Sequence, residues 1–490
     1  MVAVAEILEK ERKVHAIQTT LNHKEELGQY FTPYKIAHFM SSLFPVTDKK
    51  IKLLDPGAGI GTLACSFIER IVKENWNTPG IHISAYDIDK NVYSILNKNI
   101  ASTSSTLKKS DYTIFSEDFL EKTSFEYTWK INETYTHVIM NPPYKKIQIN
   151  SKERLSARAF GLETVNLYSA FIGAAVSLTE DNGYIVAIVP RSFCNGVYYK
   201  NFREFILKNC AIKYIHLFES RNQAFKDESV LQENIIIMLQ KNAEQGNVKI
   251  SYCNDDSFIG LSELEVPFSQ ILHKNDDEKY FHIPIKQHLG SKNLTDYSTI
   301  KDLGISVSTG PIVDFRMKNL LLKDYTENSC PLVYSVHLKH HRLAWPQKSK
   351  KPNAILELKD VEKRLFPKGF YILVKRFSTK EEKKRVVASI ITPHDFIKNN
   401  IAFENHLNIF HIDKTSLSEN IAYGLVCWLN STYIDEKFRL FSGHTQVNAT
   451  DLRNLPYPNS ADLEKLGKSL RIHKEWNQKL FDELSQVITK

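Results

Sequence analysis

Apolar positions in the first half of the chain follow two rhythms in turn. Ile51-Lys52-Leu53-Leu54 is a short apolar run ending at Asp55-Pro56-Gly57, after which Leu63, Phe67, Ile68 and Ile71 recur at helical spacing. Ile81 to Tyr86 alternates as a strand and stops at Asp87, and Val92, Ile95 and Leu96 mark one face of a helix starting near Asn91. Thr136-His137-Val138-Ile139-Met140 is stopped by Asn141-Pro142-Pro143. A helix over 166–179 follows, closed by Asn182-Gly183, and then a strand over 184–189 that ends at Pro190. Strands alternating with helices predict βαβ units and a doubly wound, mainly parallel α/β sheet. Ligands of such sheets sit at the carboxyl ends of the strands, where Asp55, Asp87 and Asn141 fall.

Beyond about residue 245 the rhythm breaks. Strand-like pieces at 371–375, 385–391 and 407–412 are irregularly spaced, and a tail from Ala461 reads as one amphipathic helix with Leu463, Leu466, Leu470, Leu480 and Leu484 inward. The pattern predicts a catalytic α/β domain over 1–244 and a mixed α+β domain over 245–490. Charge sharpens this division. Residues 331–400 hold 16 Lys+Arg against 6 Asp+Glu, a net of +10 that exceeds the +8 of the whole chain. Such a local excess is the footprint of a polyanion site, although a solvated basic face would look the same. The N-terminus is charged and helix-like, without a secretory core, and no apolar run approaches the ~20 residues of a membrane span. A cytoplasmic protein without a membrane partner is expected. The six cysteines are scattered without zinc-site spacing, so buried reduced thiols and no metal site are expected.

Three motifs carry candidate chemistry. Asp55-Pro56-Gly57-Ala58-Gly59-Ile60-Gly61 is a glycine turn between strand and helix, where the backbone can approach a ligand closely. Asp87, closing the next strand, stands where a carboxylate takes ribose hydroxyls. Dehydrogenases share both features, so they do not identify a cofactor. Asp118 and Phe119, after a third strand, could accept from an adenine amine and pack on its ring, or could be a helix cap and a core residue. Asn141-Pro142-Pro143-Tyr144 is the discriminating piece. An exocyclic purine amine is a poor nucleophile because its lone pair is conjugated with the ring. The Asn141 side-chain carbonyl and the Pro142 backbone carbonyl could each accept one N–H and free that pair. Consecutive prolines hold the carbonyls rigidly, and Tyr144 offers a flat face to a base swung out of the stack.

The order Gly28-Gln29-Tyr30-Phe31-Thr32-Pro33, Asp55 to Gly61, Asp87, Asp118-Phe119 and Asn141 to Tyr144 resembles the gamma class of adenine-N6 DNA methyltransferases from restriction–modification systems, the PstI- and BsuBI-type methylases above all. Specific motifs cover roughly residues 27–240. A weaker echo runs through Val374-Lys375-Arg376-Phe377 and Ser442 to Asn448. The resemblance implies a Rossmann-like methyltransferase sheet, S-adenosylmethionine as cofactor and double-stranded DNA as substrate. It also implies a target-recognition domain after the catalytic one. A restriction endonuclease of the same specificity is the partner it suggests, and a monomer is the expected state. Tyr30, Thr32 and Pro33 would flank the methionine end of the cofactor. Asp55, Gly57 and Gly59 would lie beneath it, Asp87 on the ribose, and Ile88, Asp118 and Phe119 around the adenine. Phe225, ahead of Ile235-Ile236-Ile237, is the candidate second aromatic for the flipped base, or else a core Phe.

Lys145, Lys146, Lys152, Arg154 and Arg158 fall in a segment read as a loop, placed to grip phosphates. Lys375, Arg376, His444, Gln446 and Asn448 are candidates for DNA contact in the second half, with base edges read from the major groove. Enzymes that methylate a glutamine amide on release factors also carry Asn-Pro-Pro-Tyr, but lack a large basic second half. Ribosomal-RNA methyltransferases are the other enzymatic alternative. A non-catalytic specificity subunit would be expected to lose the glycine turn or Asn141, and both are intact.

Overall fold

The computed structural model describes residues 2–18, 28, 30–218, 233–273, 276–284, 297–378, 382–442 and 445–489. It divides into two compact units, Met1–Lys286 and Gln287–Lys490.

The first unit is built on nine strands: β1 (Ile51–Pro56), β2 (Ile81–Tyr86), β3 (Ser110–Phe115), β4 (Tyr135–Met140), β5 (Thr179–Pro190), β6 (Cys210–Phe218), β7 (Asn234–Lys241), β8 (Val248–Cys253) and β9 (Ser262–Val266). Their order is β3-β2-β1-β4-β5-β7-β6-β8-β9. The first five are mutually parallel, and β7 runs antiparallel between β5 and β6. Strands buried on both faces read as apolar runs rather than alternations, which is why β1 and β4 were visible in the sequence. One face packs Ile185, Ala187 and Val189 against the helices Leu167–Leu178 and Lys200–Asn209. The other packs Val186 and Ile188 with Ile36, Ala37 and Met40 of the helix Tyr34–Ser42 and with Leu63, Phe67 and Ile68 of Thr62–Lys73.

This unit runs past the boundary expected at 244/245. β8 adds parallel to β6, and β9 antiparallel to β8. Beyond them Phe281 N–H donates to the Cys194 carbonyl (2.9 Å), and the buried Arg203 guanidinium donates to the Glu278 carbonyl (2.6 and 3.0 Å). Ile271, Phe281 and Ile283 close the same core.

The second unit holds a six-stranded sheet in the order Ser306–Thr309, Leu407–His411, Tyr371–Lys375, Ala388–Ile391, Arg342–Leu343, Leu338–Lys339. A five-stranded sheet is centred on Ser329–Val333. The tail is two helices rather than one, Ser460–Arg471 and Gln478–Thr489. Leu463, Leu466 and Leu470 are buried as expected, but in the last helix Phe481 and Ser485 are the buried positions, while Leu480 and Leu484 are half-buried. The break follows from Asn477, whose Oδ1 accepts from the Leu480 N–H (2.9 Å) and starts a new helix.

Candidate active site

The carboxyl ends of β1, β2 and β4 open on a cavity of ≈ 300 Å³. Its floor is the turn after β1, where Gly57 and Gly59 have φ of +76° and +56°. A Cβ on Gly59 would lie 3.1 Å from the Phe31 ring, so both conformation and space call for glycine. Asp87 secures the turn: its Oδ2 accepts from the Gly59 N–H (2.7 Å) and its Oδ1 from the Asp89 N–H (2.9 Å). Burial pushes the Asp87 carboxyl up to about 6, against the pull of those two N–H groups, so at neutral pH it remains mostly charged. Ile88 beside it is 52 % exposed and lines the cavity.

Asp118 and Phe119 are the helix cap and the core residue that the sequence allowed. The Asp118 Oδ1 accepts from the Glu121 N–H (2.9 Å) and caps the helix Phe119–Thr128. The buried Phe119 ring lies 5.2 Å from Tyr86 and 5.1 Å from Phe171. Both residues also line the cavity.

Two expected cofactor residues stand off it. Pro33 is the N-cap of the helix Tyr34–Ser42 and takes the Ala37 N–H on its carbonyl (3.0 Å). Asp55 is fully buried, with one oxygen accepting from the Ala64 N–H (3.2 Å) and the other without a hydrogen-bond partner. Burial pushes its carboxyl up to about 8.

Asn141 follows β4 and lines the cavity at 9 % exposure. Its Nδ2 donates to the Tyr30 carbonyl (2.9 Å) and to Thr32 Oγ1 (3.1 Å). Its Oδ1 is 2.9 Å from the Tyr144 hydroxyl, which also reaches the Ile188 carbonyl at 3.1 Å. A hydroxyl has one hydrogen to give, so it serves these acceptors in alternation. The Tyr144 ring is half-buried, 5.9 Å from Tyr30 and 6.2 Å from Tyr168, and stands beside the cavity rather than in its lining. Pro142 is buried, and Pro143 is the proline that lines the cavity.

The basic candidates separate. Lys145 and Lys146 are exposed, and Lys145 borders the cavity. The expected loop over 145–158 is only half a loop, because Ser151 caps a helix, Lys152–Ala159, by accepting from the Arg154 N–H (3.3 Å). Arg154 is engaged within the protein: Glu163 takes both its guanidinium and that of Arg158. In the second unit, Arg376, Gln446 and Asn448 come together. Arg376 Nη2 lies 3.3 Å from Gln446 Oε1 and 3.4 Å from Asn448 Oδ1, and Nη1 donates to the Asn405 carbonyl (2.9 Å). Lys375 ends the adjoining strand, half-buried, and Phe377 beside it is 57 % exposed against the His406 ring. Phe225 and His444 lie outside the described residues.

The sequence missed cavity residues that carry no polar signature. Leu167 and Phe171 line it, yet as apolar positions within a helix they read as ordinary core. Glu117 and Glu153 also line it, and only their place after a strand and in a helix's first turn could have marked them. Among the described residues, no cluster of His, Cys, Asp or Glu side chains could hold a metal ion, and no helix is long and apolar enough to cross a membrane. All six cysteines are buried thiols outside any disulfide.

Residues 39–225 match the Eco57I restriction-modification methylase family. Over 96 % of the chain and 94 % of the relative, the sequence is 44 % identical to type II methyltransferase M.BsuBI of Bacillus subtilis. It is 36 % identical, over the same shares, to type II methyltransferase M.PstI of Providencia stuartii. The type IIL restriction-modification enzyme MmeI, solved in complex with DNA, has a similar fold at a TM-score of 0.52 and 11 % identity, across 96 % of this chain and 69 % of that one.

Proposed function

The chain belongs to the type II methyltransferases, and from that premise we propose that it methylates the exocyclic N6 amine of adenine in duplex DNA, as the modifying enzyme of a restriction–modification system. The observation that carries the reading is the Asn141-Pro142-Pro143-Tyr144 turn, set at the end of β4 beside a glycine-floored cavity. A restriction endonuclease of the same specificity is its functional companion in this reading, and it acts as a cytoplasmic monomer.

The donor we assign is S-adenosylmethionine. Asp87 offers a mostly ionised carboxylate to a ribose diol, Ile88 and Phe119 give apolar surface to a purine, and Asp118 keeps its second oxygen for an amine. The unpartnered oxygen of Asp55 is an acceptor that a nearby cation would stabilise in its charged form. When bound, this donor supplies a methyl group made electrophilic by its sulfonium. The protein's part is to present the nucleophile. Asn141 Oδ1 and the Pro142 carbonyl accept the two hydrogens of the adenine amine and draw its nitrogen toward tetrahedral geometry. The base is extruded from the duplex, with the Tyr144 ring as its stacking face. As the amine takes Asn141 Oδ1, the Tyr144 hydroxyl turns to the Ile188 carbonyl. Lys145 and Lys146 meet phosphates beside the flipped nucleotide. Lys375, Arg376, Gln446 and Asn448 form the recognition surface, while Arg154, held by Glu163, is left out of it.

The test supplies labelled donor to the purified protein with mixed-sequence duplex DNA, RNA and release-factor polypeptide, and follows it with sequencing of modified bases. Label on adenine of the duplex supports the reading. Label on cytosine, RNA or polypeptide, or on none of them, overturns it.

A further inference from the structure

We infer that Thr32 is the positioning residue of the catalytic amide, an assignment that rests on the role proposed for Asn141. A side-chain amide can be turned end for end with little change in shape, so something must decide which end meets the substrate. The Tyr30 carbonyl can only accept, and the Asn141 atom 2.9 Å from it is therefore the amino group. Thr32 Oγ1, at 3.1 Å, takes the other hydrogen of that group. Together they consume both donors and turn Oδ1 away from the segment, to where the Tyr144 hydroxyl finds it at 2.9 Å.

Burial makes this hold necessary. Thr32 is 6 % and Asn141 9 % exposed, so a displaced N–H has little water to turn to. The segment is itself fixed on both sides of Thr32. Phe31 is buried with Ile60 and Val92 against the glycine turn, and Pro33 starts the helix Tyr34–Ser42. The resemblance assigns this stretch to the methionine end of the donor; the geometry gives the Thr32 hydroxyl a different task, acting through Asn141.

Thr32→Val keeps the shape and removes the acceptor, Thr32→Ser restores it, and Thr32→Ala repeats the loss with less bulk should the valine variant fold poorly. We expect Thr32→Val to lower turnover at saturating donor and DNA roughly three- to tenfold, the worth of one hydrogen bond, with donor affinity kept within about twofold and the serine variant near wild type. A second readout needs no catalysis. In protein labelled with ¹⁵N-asparagine, and with the Asn141 signals identified by their loss in Asn141→Ala, the side-chain amide hydrogens should exchange slowly in wild type and Thr32→Ser. One should exchange fast in Thr32→Val. A raised donor KM at unchanged kcat, a serine variant no better than valine, or unaltered amide exchange would each overturn the assignment. Wild-type protein that shows the protected amide but methylates no DNA would instead sink the proposed function.

Discussion

At the scale of single residues, the site depends on where an amide and a hydroxyl send their few hydrogen bonds. Asn141→Ala removes one of the two acceptors proposed for the target amine. By analogy with deleting one partner from an oxyanion site, it should lose roughly 2.7–4 kcal/mol of transition-state stabilisation, about 10²–10³ in kcat. Donor affinity, measured by calorimetry, should hardly move; near-normal turnover would remove Asn141 from the mechanism. Tyr144→Ala should lose the base-stacking face, worth ~1–3 kcal/mol. Tyr144→Phe should be mild, since in the proposed complex the ring does the stacking and the hydroxyl turns to the Ile188 carbonyl. Equal damage in the two variants would mean that the hydroxyl, not the ring, carries the role. Asp55 makes a prediction about pH. Its carboxyl rises to about 8 in the folded protein from an ordinary value of 3.8, so folding binds a proton between those values. The stability this confers is complete below the unfolded value and is lost as pH rises through 8, at up to about 1.4 kcal/mol per pH unit. Melts of the ligand-free protein and of Asp55→Asn across pH 4–9 should diverge with that slope, and parallel curves would show an unshifted carboxyl.

At the scale of elements, a strand end and the helix after it share one side chain at Asp118. Asp118→Ala should destabilise the protein by about 1 kcal/mol through the lost cap of Phe119–Thr128. Asp118→Asn keeps a capping oxygen but turns an amino group toward the proposed purine amine. It should therefore melt like wild type while binding donor more weakly, and wild-type affinity would leave Asp118 with the cap alone. The sequence exposed β1, β2 and β4 because double burial or alternation leaves a plain pattern, and the turn from Asn141 to Tyr144 because it stops such a run. It exposed less where the pattern is sparse. Lys152–Ala159 has Ala157 as its only buried residue, so its charges hid a helix. The last two strands, β8 and the edge strand β9, are interrupted by half-buried and exposed positions, which obscured the end of the first unit. The bond from Asn141 to Thr32 spans 109 residues, and no local spacing announces it.

At the scale of the whole molecule, charge is the variable that matters, and the fold redistributes it. The basic excess over 331–400 belongs to the second unit, where Arg376 is drawn into a cluster with Gln446 and Asn448. Lys375→Ala should weaken binding to all duplexes alike and reduce the slope of log K against log salt by about one. Gln446→Ala should leave that slope intact and relax discrimination among sequences; a uniform loss would make Gln446 a backbone contact. Glu163 acts on this balance from the other unit. Because it pairs with both Arg154 and Arg158 and offsets one of their two charges, the helix Lys152–Ala159 is less adhesive than its composition implies. For a protein that searches duplex DNA as proposed, each further unpaired cation there would lengthen every fruitless stop, and Glu163→Gln should produce a slower searcher that lingers on the wrong sites.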